Sequence, residues 1–147
     1  MVKKIRQALK NEKGLTLVEL LAVVVILGII SAIAIPSIGG LINNSKKDAH
    51  IANAQQMVNS AKLMVTSQDI EFADGKATVL LSDLISKGYI EEMKNPSEGT
   101  YSGNSSVTIT KNGNSHSYSV LLMEKTSGTK YIVDKDPFEL KRGEVNL

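Results

Sequence analysis

The chain has 147 residues, no cysteine and a formal net charge of +2. That length suffices for one modest domain and an anchor, and the lack of cysteine excludes disulfides, thiolate metal sites, a cysteine nucleophile and a lipidated cysteine. The charge is uneven: residues 1–14 carry five basic groups against one acidic, net +4, while the rest carry 12 basic and 14 acidic groups, net −2.

The first predicted element is a basic leader running into an apolar helix. Lys3, Lys4, Arg6, Lys10 and Lys13 precede residues 15–35, where only Thr16, Glu19, Gly28 and Ser31 interrupt the aliphatic run, and no charge occurs from Leu20 to Ser45. A bilayer core of ~30 Å needs about 20 such residues, so the run predicts one membrane span. The basic flank holds its own end in the cytoplasm and places the chain after Ser45 outside. Glu19 is the anomaly. A carboxylate inside a membrane helix costs roughly 2.5–3.5 kcal/mol at the centre and less near the interface, so it implies a partner.

The stretch Lys13-Gly14-Leu15-Thr16-Leu17-Val18-Glu19, followed by the apolar run to Pro36, resembles the class III signal peptide of the type IV pilin and pseudopilin family. The resemblance implies cleavage between Gly14 and Leu15 by a membrane prepilin peptidase, which also N-methylates Leu15. Most of the family carry phenylalanine at that position, so Leu15 is a mild departure. Gly14 lets a protease approach the backbone closely, and the new amine, with an unperturbed pKa of roughly 7.7–8.0, stays mostly protonated. The family pattern pairs this amine of one subunit with the Glu19 carboxylate of its neighbour. It also makes residues 28–36, bounded by Gly28 and Pro36, a weak section of the helix, as poor helix formers would.

The same residues permit an ordinary secretory signal, with Ala32-Ile33-Ala34 as an A-x-A-like site and a soluble product starting at Ile35. Glu19 in the apolar core and the helical pattern beyond Pro36 argue against it.

After Gly39 and Gly40, apolar Ile51, Ala54, Val58, Ala61 and Val65, with Met57 and Met64, recur at helical spacing. Lys46, Lys47, Asn53, Asn59 and Lys62 take the other side. The pattern predicts a helix from Leu15 to about Thr66, about 52 residues or roughly 78 Å, whose half at 37–66 is amphipathic. The two methionines read as core filler.

Residues 67–147 read as a globular head. Asp74-Gly75 marks a loop, 78–87 a short helix ended by Gly88, and Asn95-Pro96 to Gly103 a turn-rich connection. Alternation predicts strands at 106–111, 115–124 and 129–134, with Asn112-Gly113 as a hairpin signal. Tyr131 and Val133 are expected opposite Ile132. The expected fold is α+β: a long N-terminal helix packed on a small three-stranded antiparallel sheet, which the resemblance names as the pilin fold. The tail from Asp136-Pro137 has no predicted place.

Chemistry-bearing residues are sparse. His50, near Lys46, Lys47 and Asp48, reads as solvated, and His116 as the start of a strand; a shared metal site is not expected. Glu91-Glu92 reads as solvated surface. Asp134 and Asp136 supply too few oxygens for calcium. Neither a phosphate loop nor a nucleophile–base motif is evident, so no enzyme activity, cofactor or metal is expected. The acidic mature chain gives no footprint for nucleic acid, although Lys111, Lys125 and Lys130 could form a local patch.

The resemblance implies a structural subunit of a type IV pilus or pilus-like filament, held first in the membrane and then at the cell surface. Its partners would be further copies, the prepilin peptidase and methylase, the assembly machinery and the bilayer. A competence or secretion pseudopilin, or a minor tip subunit, is an alternative within the family.

Overall fold

The computed structural model describes residues 2–147, with side chains described from Thr16 onward. Helix α1 spans Val2–Thr66 and contains Pro36. It contributes to two compact units, the first ending at Ile42 and the second comprising Asn43–Leu147. From Leu20 to Ile42 the helix is uncharged and apolar on every side, and such a helix must find cover from lipid or protein.

In the second unit the order is α1, β1 (Lys76–Leu80), α2 (Leu81–Ser86), β2 (Ser106–Asn112), β3 (Ser115–Met123) and β4 (Lys130–Lys135), then a short 3-10 turn at Arg142–Glu144. The strands form one antiparallel sheet in the order β1-β2-β3-β4. This is the expected α+β arrangement, a long helix on a small antiparallel sheet, with four strands in place of three. Ala54, Met57, Val58, Ala61 and Met64 of α1 share one core with Ala77, Val79, Val107, Ile109, Val120 and Leu122 of the sheet. That stripe follows the helical repeat read from the sequence, and β-branched residues supply most of the sheet side.

The extra strand corrects the short helix expected at 78–87. Thr78, Val79 and Leu80 pair with Thr108, Val107 and Ser106, and helix begins only at Leu81. Ala77 and Val79 are buried while Lys76 and Thr78 are exposed, a period of two that five residues display too briefly to separate from the adjoining helix signal. Gly88, at φ +76°, ends α2 as expected: Tyr89 N–H bonds back to Leu84 at 2.9 Å.

Asn112 pairs with Ser115, so the β2–β3 loop is Gly113-Asn114, with Gly113 at φ +61°. A glycine with positive φ at the first central position is what a type II′ turn needs.

A second correction concerns β4. Met123 pairs with Lys130 and Leu122 with Ile132, leaving Tyr131 as an extra residue in a bulge. Both Tyr131 and Ile132 are buried, and Val133 is exposed. The bulge breaks the alternation that put Tyr131 and Val133 together, and it turns Tyr131 inward beside Ile132.

The tail gains a place. Gln55 of α1 donates to the Pro137 carbonyl at 3.0 Å, Lys62 lies 4.7 Å from the Phe138 ring, and Arg142 grips Asp48 through two 2.6 Å hydrogen bonds. Val145 is buried, and Asn146 N–H bonds to Tyr131 on β4. Residues 137–146 thus strap α1 and return to the sheet.

Candidate functional site

The N-terminal unit presents a surface that a soluble monomer would not keep. From residue 17 to residue 42, sixteen large aliphatic side chains are 50–71% exposed, from Leu17 and Val18 through Ile29 and Ile30 to Leu41 and Ile42. Full burial of one such side chain is worth about 1.5–3 kcal/mol, so the sum strongly favours lipid or other helices over water. By length and composition α1 is able to cross a membrane. Glu19 stands exposed at the start of this run. It is the only ionisable side chain between Gly14 and Lys46.

Gly14 and Leu15, the expected cleavage pair, lie outside the residues whose side chains are described. Glu19 follows Leu15 by four residues, about 6 Å along a helix. Gly28 has open space where a Cβ would stand, as do Gly39 and Gly40. Helix continues through Pro36, which has no N–H to offer the carbonyl one turn earlier.

The head contains a polar cluster around His50, in place of the solvated histidine expected there. His50 is fully buried. Its Nδ1 lies 2.8 Å from the Tyr101 hydroxyl and its Nε2 2.9 Å from Ser97 Oγ. Its ring stacks on Tyr131 at 3.9 Å between centroids. Asn53, expected on the solvated side, donates to the Lys94 carbonyl at 3.1 Å and to the Tyr101 hydroxyl at 2.9 Å. The signal was available: His50, Ala54 and Val58 fall four apart, so His50 continues the apolar stripe. The two tyrosines that receive it come from distant segments.

The neutral ring donates to one of these two hydroxyls and accepts from the other, and Tyr101 oxygen also accepts from Asn53. Burial, with the nearby Lys46 charge second, pushes the His50 pKa down to about 4. Burial also pushes Tyr101 up to about 12. The cluster ties α1 to the loop between α2 and β2.

Other sequence candidates separate. His116 packs beside Phe72 at 5.7 Å, and it pairs across the hairpin with Lys111. Lys130 pairs with Met123 at the opposite end of β3, so the topology parts Lys111 from Lys125 and Lys130 by about 20 Å and breaks the basic patch. Glu91 and Glu92 are exposed. Asp136 accepts from Phe138 N–H at 2.9 Å, and Asp134 adopts φ +48° beside the β4 irregularity. Among the described residues, no three histidine or acidic groups converge as a metal site would require.

Residues 9–35 match the prokaryotic N-terminal methylation motif. No curated protein and no solved structure matches the chain. The matched segment holds Gly14, Leu15, Glu19 and Gly28, so the N-terminus carries a type IV pilin-like class III signal peptide. The match supports a protein of pilin or pseudopilin type.

Proposed function

We propose that this chain is a structural subunit of a type IV pilus or pilus-like filament, built through its N-terminal apolar helix. The observation that carries this reading is Glu19 at the start of an uncovered aliphatic helix, inside a methylation motif. Prepilin peptidase cuts between Gly14 and Leu15 and removes the +4 leader. The methylated Leu15 amine remains cationic. In the filament this amine of one subunit meets the Glu19 carboxylate of the next, while neighbouring apolar helices cover residues 17–42. Desolvating either charge alone is costly, so the pairing sets axial stagger as well as contributing attraction. Before assembly the same helix anchors the subunit in the cell membrane, with its N-terminus in the cytoplasm; afterwards the head lies on the cell-surface filament.

Residues 28–36 serve as the compliant section, since Pro36 deletes one backbone bond and Gly28 favours helix weakly. Against a cut at the A-x-A site ending at Ala34 stand the helix running on to Thr66 and the methylation motif extending to residue 35.

The test is Glu19→Ala expressed in the native cell. Leader removal should continue, and recovered filaments should fall at least tenfold. Filaments at normal yield would refute the pairing role.

A further inference from the structure

A groove of about 370 Å³ opens on the head between residues 97–99 and the β3–β4 connection. This lies near the low end of small-ligand pockets, roughly 300–1,000 Å³, and suits a single sugar-sized molecule. Its lining is rich in hydroxyls and includes Ser97, Glu98, Glu124, Ser127 and Tyr131, with no basic side chain.

Two polar residues of this lining are more than nine-tenths buried: Glu124 is 7% exposed and Tyr131 3%. Glu124 Oε2 accepts the backbone N–H of Thr126 at 2.8 Å and also that of Ser127. Those bonds, helped by the Ser127 and Thr126 hydroxyls, pull its pKa down to about 2, so the carboxylate is anionic. Its other oxygen, Oε1, faces Gly99. A Cβ at Gly99 would come within 2.8 Å of Oε1, and φ +68° already favours glycine there. The missing side chain keeps the approach to the carboxylate open.

The Tyr131 hydroxyl has capacity to spare. Ser97 Oγ shares a hydrogen bond with His50 Nε2, and Tyr131 oxygen accepts from Asn95 at 3.1 Å. Among the described residues the Tyr131 O–H has no protein acceptor. The groove therefore offers an anionic acceptor beside the Tyr131 hydroxyl donor, and with Glu98 it carries two negative charges. A ligand that fits must supply a cation or strong donor for Glu124 and an oxygen acceptor for Tyr131; an anion is repelled.

We propose that this groove binds a small cationic, hydroxyl-bearing ligand of the hexosamine type. The groove is lined wholly by residues of the second unit.

The test uses the full chain in a phosphocholine detergent, which has no sugar headgroup to compete. Amide chemical shifts are followed while glucosamine, N-acetylglucosamine, glucuronate or propylamine is added. Glucosamine should give saturable shifts at residues 97–99 and 124–131. N-acetylglucosamine should bind more weakly and glucuronate not at all. Glu124→Gln and Gly99→Ala should each lower glucosamine affinity about tenfold, the scale of a lost charge-assisted hydrogen bond. Should either variant lose its folded spectrum, Tyr131→Phe supplies the comparison, with a several-fold loss expected. The proposal is overturned if glucosamine gives no saturable shifts or shifts elsewhere. Glucuronate binding as well as glucosamine, propylamine binding as tightly, or folded variants binding unchanged would each overturn it too.

Discussion

Replacing His50 with glutamine removes a buried titration while leaving a neutral side chain with one donor and one acceptor for Ser97 and Tyr101. In the wild type the imidazole has a pKa of about 4 in the fold, against an ordinary value of 6.5. Between those values the unfolded chain binds a proton that the folded chain does not. Stability is therefore fully present above about pH 6.5 and declines as the pH falls toward 4. That difference is worth about 3 kcal/mol. At neutral pH the variant should be less stable by about 1–3 kcal/mol, because it loses the stack on Tyr131 and shortens a buried side chain. It should nevertheless lose about 3 kcal/mol less than wild type on going from pH 7 to 4. Glu124, Asp48, Asp69 and Glu144 also have lowered pKa values and weaken the fold in acid, but they are common to both proteins and cancel in the difference. The assay is urea unfolding of the full chain in micelles at pH 7, 6, 5 and 4. Near-UV circular dichroism reports the tyrosines around the cluster. Parallel stability curves for the two proteins across that range would show that His50 is not held neutral by burial.

Gly14→Trp should block leader removal, read by intact mass: wild type should yield a chain starting at methyl-Leu15, and a start at Ile35 would refute the pilin-type cut. Val145→Ala, at a position 1% exposed within the C-terminal strap, should cost about 1–3 kcal/mol by urea unfolding, and no loss would show that the strap adds nothing to the core. Pro36→Ala should restore one helical hydrogen bond and slow amide exchange around residues 28–36 in micelles, whereas unchanged exchange would remove the case for a compliant section.

The candidate assembly site was legible in the sequence because its signals are contiguous. A basic leader, Gly14, Glu19 and an unbroken aliphatic run need only order and spacing to be read, since bilayer thickness fixes the length of helix required. The helical repeat from Ile51 to Val65 was equally readable, and so were the turns at Gly88 and Gly113, where positive φ selects glycine. Tertiary structure decided what depends on distant partners. Thr78 to Leu80 became strand because β2 offered an edge to pair with. Tyr131 turned inward because its register with β3 slips by one residue. His50 is buried because Ser97, Tyr101 and Tyr131 arrive from other segments to satisfy and cover it. Local sequence fixes periodicity and turn chemistry; register slips and buried polar groups follow from which segments meet, and that is settled only when the chain closes on itself.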